Sequence, residues 1–143
     1  MNDELSTYTF DEIEIGLTRQ FQITVTETMI DDFARLSGDF SPIHMDDNYA
    51  KSTTFGKKVV HGMLLASFLS RVDGMYLPGK HGLYFSQNIE FRNPCFIGDN
   101  VSVFSKVIDK SEATKIIKIE STISNQNNDI LLQGIGRVIV RDD

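Results

Sequence analysis

Val60-His61-Gly62-Met63-Leu64-Leu65-Ala66-Ser67-Phe68-Leu69 is the stretch of sequence that decides the fold. It predicts the start of a helix that runs from about residue 62 to residue 76 and is apolar around nearly its whole circumference. A helix of this kind in a globular protein must be wrapped by other structure. At a rise of about 1.5 Å per residue, this helix would be on the order of 22 Å long. The sequence Leu77-Pro78-Gly79 would end it, because proline cannot continue a helix.

The sequence after this helix predicts a meander of strands. The predicted strands are 83–91, 100–109, 114–124 and 130–141, and apolar side chains alternate in the last three. Polar links at 109–112 and 125–129 predict hairpin turns, so that successive strands pair antiparallel. The predicted fold class is therefore α+β, with one long buried helix wrapped by a curved antiparallel sheet. The outer edge strand of this sheet would stay open unless a second subunit paired with it.

The sequence before the long helix predicts a strand and a shorter helix. The strand spans residues 19–25, and a threonine at position 24 or 26 caps the helix. Thr24 and Glu27 have the spacing of a capping box. The predicted buried stripe of this helix consists of Met29, Ile30, Phe33 and Leu36. Gly38 would end it, because glycine readily takes the left-handed conformation.

The next segment, residues 39–45, is predicted to be irregular. Pro42 disfavours helical geometry at Ser41 and has no backbone N–H to donate. After it, Asp46 is expected to cap a short helical turn.

The composition restricts the class of protein. A length of 143 residues predicts a single domain, 1–143. The net charge of −6 and the pI near 5.0 give no support for nucleic-acid binding. No apolar stretch is long enough to span a membrane, and residues 1–5 lack the basic start of a secretory signal. The only cysteine, Cys95, rules out an internal disulfide and fits a reducing compartment, so the predicted location is cytoplasmic.

Two motifs point to acid–base chemistry. Asp39 and His44 place a carboxylate and an imidazole five positions apart in the irregular segment. Gly62 opens the apolar helix and leaves its backbone amides accessible to an approaching oxygen atom. An acid–base pair beside a backbone oxyanion site is suited to adding water to an activated carbonyl compound, or to removing it.

Each of these residues also has an ordinary structural interpretation. Asp39 could form an Asx turn, His44 could be a partly buried histidine with a hydrogen-bond partner, and Gly62 could serve close packing. His61 is interpreted as a structural residue at the entry of the helix, and His81 as a loop residue. The three histidines lack the local spacing of a metal site, so no metal is expected.

The motifs together resemble a known family. Ser37-Gly38-Asp39-Phe40-Ser41-Pro42-Ile43-His44, Phe55-Gly56 and Val60-His61-Gly62-Met63-Leu64-Leu65-Ala66-Ser67 are similar to the motifs of the MaoC-like hydratases, close to the (R)-specific enoyl-CoA hydratases. The similarity extends over about residues 10–140. It implies the hot-dog fold and hydration of a trans-2-enoyl-CoA to a (3R)-3-hydroxyacyl-CoA, or the reverse dehydration.

The resemblance also implies roles for individual residues. Asp39 and His44 would be catalytic and would activate the water, although the sequence does not say which is the base. The Gly62 amide would form the oxyanion hole, and Ser70 would contact the substrate. The resemblance implies a homodimer that uses no metal or redox cofactor. Coenzyme A would enter as part of the acyl-CoA thioester substrate.

Three other functions stay open at this point. The same catalytic pair would serve a 3-hydroxyacyl-carrier-protein dehydratase. The hot-dog fold also hosts thioesterases, and fold alone does not decide function. A non-catalytic acyl-CoA-binding module is the third alternative. The acyl chain length and the physiological direction are not readable from the sequence.

Overall fold

The long helix predicted from the apolar stretch is present in the computed structural model, which describes residues 4–143. Helix α4 spans Gly62–Arg71 and continues as a π-helical turn over Val72–Tyr76. Its buried side chains include Leu64, Leu65, Phe68, Leu69 and Val72. The burial is not complete around the circumference, however, because Met63, Ser67, Ser70 and Gly74 are exposed. These four positions follow the helical repeat and form one open stripe along α4.

An antiparallel sheet covers the other faces of α4. Its strands are β1 (Thr18–Thr24), β2 (Gly82–Gln87), β3 (Glu90–Phe91), β4 (Asn100–Ser111), β5 (Ile116–Ser124) and β6 (Ile130–Val140). The order is β1-β4-β5-β6-β2, and β3 also pairs with β6. The predicted α+β class with a wrapped helix is therefore confirmed. One edge of the sheet is β1, and the other is formed by β2 and β3.

The alternating pattern of the sequence fixes which face of the sheet is buried. In β4 and β5, Val103 lies opposite Ile123 and Val107 lies opposite Ile119, and all four side chains are buried. Each residue of these pairs contributes apolar area to the same core that α4 occupies. The core side of the sheet therefore follows from the period of two that the sequence shows.

Residues 83–91 were predicted to form one strand. This prediction is wrong, because β2 ends at Gln87 and β3 begins at Glu90. Asn88 interrupts the strand by bonding to Ile135 through its own backbone N–H and its side-chain oxygen. The facing residue is Gly134, where a Cβ atom would lie 2.0 Å from the Asn88 carbonyl oxygen. The close approach that breaks the strand thus depends on a glycine 46 positions later, which local patterning does not reveal.

Helix α1 spans Glu27–Ser37. Its cap is Thr26, whose Oγ1 accepts a hydrogen bond from the N–H of Met29. Thr24 is the last residue of β1, so the predicted capping box of Thr24 with Glu27 does not form. Leu36 was also predicted wrongly, because its side chain is 85% exposed and the buried positions are Ile30 and Ala34.

The end of α1 and the residues after it are mostly as expected. Gly38 has φ +83° and donates its N–H to the Ala34 carbonyl, which ends α1. Residues 39–45 are less irregular than predicted, because Pro42–Met45 forms one helical turn, α2. Proline suits this first helical position, where no N–H is needed. Asp46 caps α3 (Asp47–Lys51) as predicted, by accepting from the N–H of Tyr49.

The two hairpin turns were located with different accuracy. The β5–β6 turn lies at residues 125–129 as predicted, with Asn128 in the left-handed region. The β4–β5 turn lies later than predicted, because β4 continues to Ser111 and the left-handed residue is Lys115.

Within residues 4–143, no helix has the length and apolar character that crossing a bilayer would require. Met1–Asp3, on which the prediction about a signal segment partly rests, lie outside the described residues. The assignment of 1–143 as one domain stays a prediction.

Candidate active site

A cavity of about 490 Å³ opens at the N-terminus of α4. Its wall includes Asp39, His44, His61 and Gly62, with Phe55, Met63, Leu65, Phe91, Arg92 and Cys95 among the other lining residues. Three of the four residues predicted for the site, Asp39, His44 and Gly62, therefore face one space. Apolar and aromatic side chains form most of the remaining wall, as in sites that bind small organic ligands.

Asp39 is positioned by the turn that ends α1. Its backbone N–H donates to Ser37 Oγ, and its Oδ1 accepts from the N–H of Ser41. The Asx turn considered from the sequence is therefore formed. Oδ2 is directed toward His44, and the side chain is 49% exposed. The carboxylate thus uses one oxygen for the turn and has the other available at the cavity.

His44 lies on α2 with its ring fixed from one side. Its Nδ1 is 2.6 Å from the carbonyl oxygen of Val59, and a carbonyl only accepts, so Nδ1 carries the proton. Nε2 is therefore unprotonated in the neutral ring and lies 3.9 Å from Asp39 Oδ2. This separation is too long for a direct hydrogen bond, but one water molecule could contact both atoms.

Gly62 is the first residue of α4. The first amides of a helix have no intrahelical acceptor, and they carry the positive end of the helix dipole. A Cβ atom at this position would lie 2.8 Å from Cε1 of Phe91. Glycine therefore lets the Phe91 ring lie directly against the helix start, next to amides that could hold a developing oxyanion.

His61 is the residue that sequence reasoning underestimated. It is almost fully buried, at 1% exposure, and its ring stacks on that of His44 with 4.0 Å between centroids. Its Nε2 lies 3.0 Å from the Asp39 carbonyl oxygen. The position directly before the glycine that opens α4 was the only sequence signal for a place in the site, because its contacts with Asp39 and His44 come from the tertiary fold.

Asp39, His44 and His61 could each offer one ligand atom to a metal ion, since these atoms lie within 4.8 Å of one another. The sequence predicted no metal site because the histidines lack local spacing. The fold brings two of them together with a carboxylate, which the spacing argument did not anticipate.

Ser70 does not line the cavity of a single chain. It belongs to the open stripe of α4, eight residues after Gly62 and so about 12 Å along the helix. Its contact with substrate stays a prediction. Among the aromatic residues of β2 and β3, Phe91 lines the cavity, whereas Tyr84 and Phe85 do not.

Cys95 lines the cavity but is buried. Burial, and secondarily the Asp99 carboxylate, raise the pKa of this thiol to about 12. A thiol with this pKa is protonated at neutral pH and is a poor nucleophile. The arrangement therefore favours acid–base chemistry by Asp39 and His44 over covalent catalysis by Cys95.

The segment that contains both catalytic candidates is attached to the rest of the fold at a few places. Val59 forms an isolated bridge with Phe96, and the N–H of Val60 donates to the Cys95 carbonyl. Lys58 contacts Glu27 of α1 at 2.9 Å. All strands of the main sheet in the described chain lie outside residues 39–61.

Comparison with known proteins gives consistent matches. The sequence matches the MaoC-like domain over residues 11–128. It is 33% identical to a 3-hydroxybutyryl-CoA dehydratase of Methylorubrum extorquens strain AM1, covering 94% of this chain and 85% of the relative. It is 34% identical to an (R)-specific enoyl-CoA hydratase of Aeromonas caviae, covering 85% of this chain and 91% of the relative. The R-hydratase PhaJ1 of Pseudomonas aeruginosa, solved in the unliganded form, superposes with a TM-score of 0.92 at 26% identity, covering 97% of this chain and 89% of that one.

Proposed function

The chain belongs to the family of the MaoC-like domain, and from this premise we propose that it catalyses the (R)-specific hydration of trans-2-enoyl-CoA to (3R)-3-hydroxyacyl-CoA, or the reverse dehydration. It is a hydro-lyase with the hot-dog fold. The single observation that supports this function best is the pair of free atoms, Asp39 Oδ2 and His44 Nε2, 3.9 Å apart at the N-terminus of α4.

The proposed reaction begins with a water molecule held between Asp39 and His44. The water oxygen bonds to C3 of the enoyl thioester while one member of the pair takes a proton from the water. The π electrons of the C2–C3 double bond move toward the thioester oxygen, which the Gly62 N–H would hold as negative charge develops. A proton delivered to C2 by the other member completes the 3-hydroxyacyl product. Dehydration follows the same steps in reverse.

No redox group is needed for this chemistry, because addition of water leaves the summed oxidation state of C2 and C3 unchanged. We propose that Asp39, His44 and the Gly62 amide suffice, and that coenzyme A enters only as part of the substrate. Activity retained after dialysis against a metal chelator is the expected result, and loss restored by one added metal would contradict it.

The test of the catalytic pair is hydration of crotonyl-CoA, followed as loss of the enoyl-thioester absorbance, with chiral analysis of the product. Asp39→Asn and His44→Ala should each reduce kcat by about 10²- to 10⁴-fold, the usual contribution of a general acid or base. His81→Ala is the matched control, because His81 does not line the cavity and its Nδ1 contacts the Asp143 carbonyl oxygen. Unchanged rates in both cavity variants would refute the mechanism.

The same assay separates the alternative functions. A thioesterase would release free thiol from the substrate, which a coloured thiol reagent would detect. A dehydratase specific for carrier-bound substrates would act on the carrier-protein thioester and leave crotonyl-CoA unchanged. Binding without turnover over a panel of thioesters would indicate a non-catalytic module.

We also propose that the protein is a homodimer joined through β2. This strand is a sheet edge, and its Leu83 and Phe85 side chains are both more than half exposed. An apolar edge strand is a template for pairing with another chain. The open stripe of α4 begins at Met63 beside the cavity, so a second subunit could cover the stripe and bring Ser70 into an interface. The predicted cytoplasmic location stays a prediction.

A further inference from the structure

We propose that His61 is a positioning residue of the catalytic pair: one neutral imidazole that fixes the backbone of Asp39 and the ring of His44 at the same time. The inference rests on the proposed hydratase function and goes beyond it, because His61 would act through its neighbours without reacting. The sequence alone gave His61 a structural role at the helix entry.

The hydrogen bond to Asp39 defines the protonation of the ring. His61 Nε2 lies 3.0 Å from the Asp39 carbonyl oxygen, and a carbonyl oxygen only accepts, so Nε2 carries a proton. Nδ1 is buried and has no hydrogen-bond partner among residues 4–143. A protonated Nδ1 would bury both an unpaired donor and a positive charge, which is costly. The contacts therefore fit a neutral ring that donates from Nε2 and takes no part in proton transfer.

The His61 ring contacts two other rings, those of His44 and Phe33. On one side lies the His44 ring, with 4.0 Å between centroids and 27° between planes. The Phe33 ring of α1 meets the His61 ring edge-on, with 4.9 Å between centroids. His61 thereby links α1 to the catalytic histidine, and His44 is fixed by the stack in addition to its bond to the Val59 carbonyl.

His61 is also joined covalently to the third part of the site. It immediately precedes Gly62, and its own carbonyl accepts the first helical hydrogen bonds, from Leu64 and Leu65. One side chain thus sets the relative positions of the carboxylate-bearing turn, the imidazole and the proposed oxyanion amide. Misplacement of a reacting group by about 1 Å can cost on the order of 100-fold in rate, so loss of this link should affect turnover more than binding.

The experiment compares two substitutions that remove different contacts. His61→Phe keeps a ring that can stack but has no N–H to donate, whereas His61→Gln keeps a donor and loses the stack. Both should lower kcat for crotonyl-CoA by about 10- to 100-fold with KM within about twofold. His81→Gln, at a half-buried histidine that does not line the cavity, should leave both constants unchanged. Wild-type kcat in both His61 variants, or an effect confined to KM, would overturn the proposal.

A double-mutant cycle distinguishes positioning from a general loss of stability. If His61 acts through Asp39, the effect of His61→Phe should shrink in an Asp39→Asn background, because residues that act as a unit are not additive. Full additivity of the two losses would overturn the inference. Thermal unfolding of each variant, measured in parallel, checks that the folded fraction is the same in every assay.

A readout independent of activity separates this inference from the proposed function. Side-chain ¹⁵N spectra of the wild-type protein, assigned by comparison with the single variants, should show His61 neutral and protonated on Nε2, and His44 protonated on Nδ1. A charged His61, or one protonated on Nδ1 alone, would refute the positioning role. Inactivity of the wild-type protein toward every enoyl thioester, with these spectra as expected, would instead refute the hydratase function.

Discussion

Asp39 and His44 each use one polar atom for a hydrogen bond to the backbone and leave the other for the proposed chemistry. Asp39 Oδ1 accepts from Ser41 N–H while Oδ2 is directed toward the imidazole, and His44 Nδ1 contacts the Val59 carbonyl oxygen while Nε2 stays free. The structural interpretation of both residues is therefore correct, and it is compatible with the proposed catalytic role. Anchoring one atom orients the other, which reduces the entropy lost when substrate binds.

Gly62→Ala tests the close contact at the oxyanion site. The added Cβ would lie 2.8 Å from Phe91 Cε1, so the ring must turn away and change the cavity wall next to the amide. Crotonyl-CoA kcat/KM should fall by about tenfold, corresponding to about 1.4 kcal/mol of transition-state stabilisation. A second variant, Gly62→Ala with Phe91→Leu, removes the contact and should recover part of the activity. No loss in the single variant would show that the ring position does not matter.

Cys95 should be unreactive in the folded protein. Because burial raises the pKa of its thiol to about 12, the thiolate is nearly absent at pH 8, whereas an unfolded cysteine with a pKa near 8.5 is partly ionised. A coloured disulfide reagent should therefore react slowly with native protein and release one equivalent of product after denaturation, since the chain has one cysteine. Rapid reaction of the native protein would contradict the assigned burial.

At the scale of the elements, the sequence predicted best what local patterning determines. The apolar run that begins at Gly62 and the alternation in β4, β5 and β6 identified the central helix and the buried face of the sheet. The break at Asn88 and the exposure of Leu36 were missed, because each depends on what another part of the chain places opposite. The same limit applies to the site: the motif identified Asp39, His44 and Gly62, but the stack of His61 on His44 exists only after folding.

The π-helical turn that extends α4 contains a buried carboxyl group, Asp73, whose Oδ2 has no hydrogen-bond partner in the described part of the chain. Burial raises its pKa to about 7, and the Tyr84 hydroxyl donates to Gln87 Oε1 instead of to this carboxyl group. The folded state therefore binds this proton more tightly than the unfolded state. The contribution of Asp73 to stability is greatest below about pH 4 and is lost as the pH rises through 7.

Asp73→Asn should remove this pH-dependent cost. The variant should gain stability over the wild type at pH 8, by up to about 4 kcal/mol for a pKa difference of about three units, and the gain should shrink toward pH 4. Urea unfolding at several pH values measures the difference. Asp109→Asn, at an exposed position of β4, is the matched control. A difference that does not change with pH would contradict the assignment.

The state of assembly is a property of the whole molecule, and one edge strand should decide it. Phe85→Lys places a charge on the exposed side of β2, where Phe85 is 61% exposed, and edge lysines prevent strand pairing. Light scattering should give the mass of two chains for the wild type and of one for the variant. Phe104→Lys changes an aromatic residue that is 41% exposed on the interior strand β4 and should leave the dimer intact. A monomeric wild type would contradict the proposed interface.

The segment 39–61 is attached to the rest of the fold at few places, and this affects the order in which activity and structure are lost on denaturation. Regions outside the main sheet open at lower free energy than the core, so this segment should detach before the sheet melts. Moderate urea would then yield an inactive form with an intact β-sheet, visible as loss of turnover ahead of loss of the far-ultraviolet strand signal. Amide protons in this segment would exchange with solvent faster than those of β5. The lifetime of the activity would accordingly be governed by the segment 39–61, which holds α2 and α3, and the melting temperature of the fold would overestimate this lifetime.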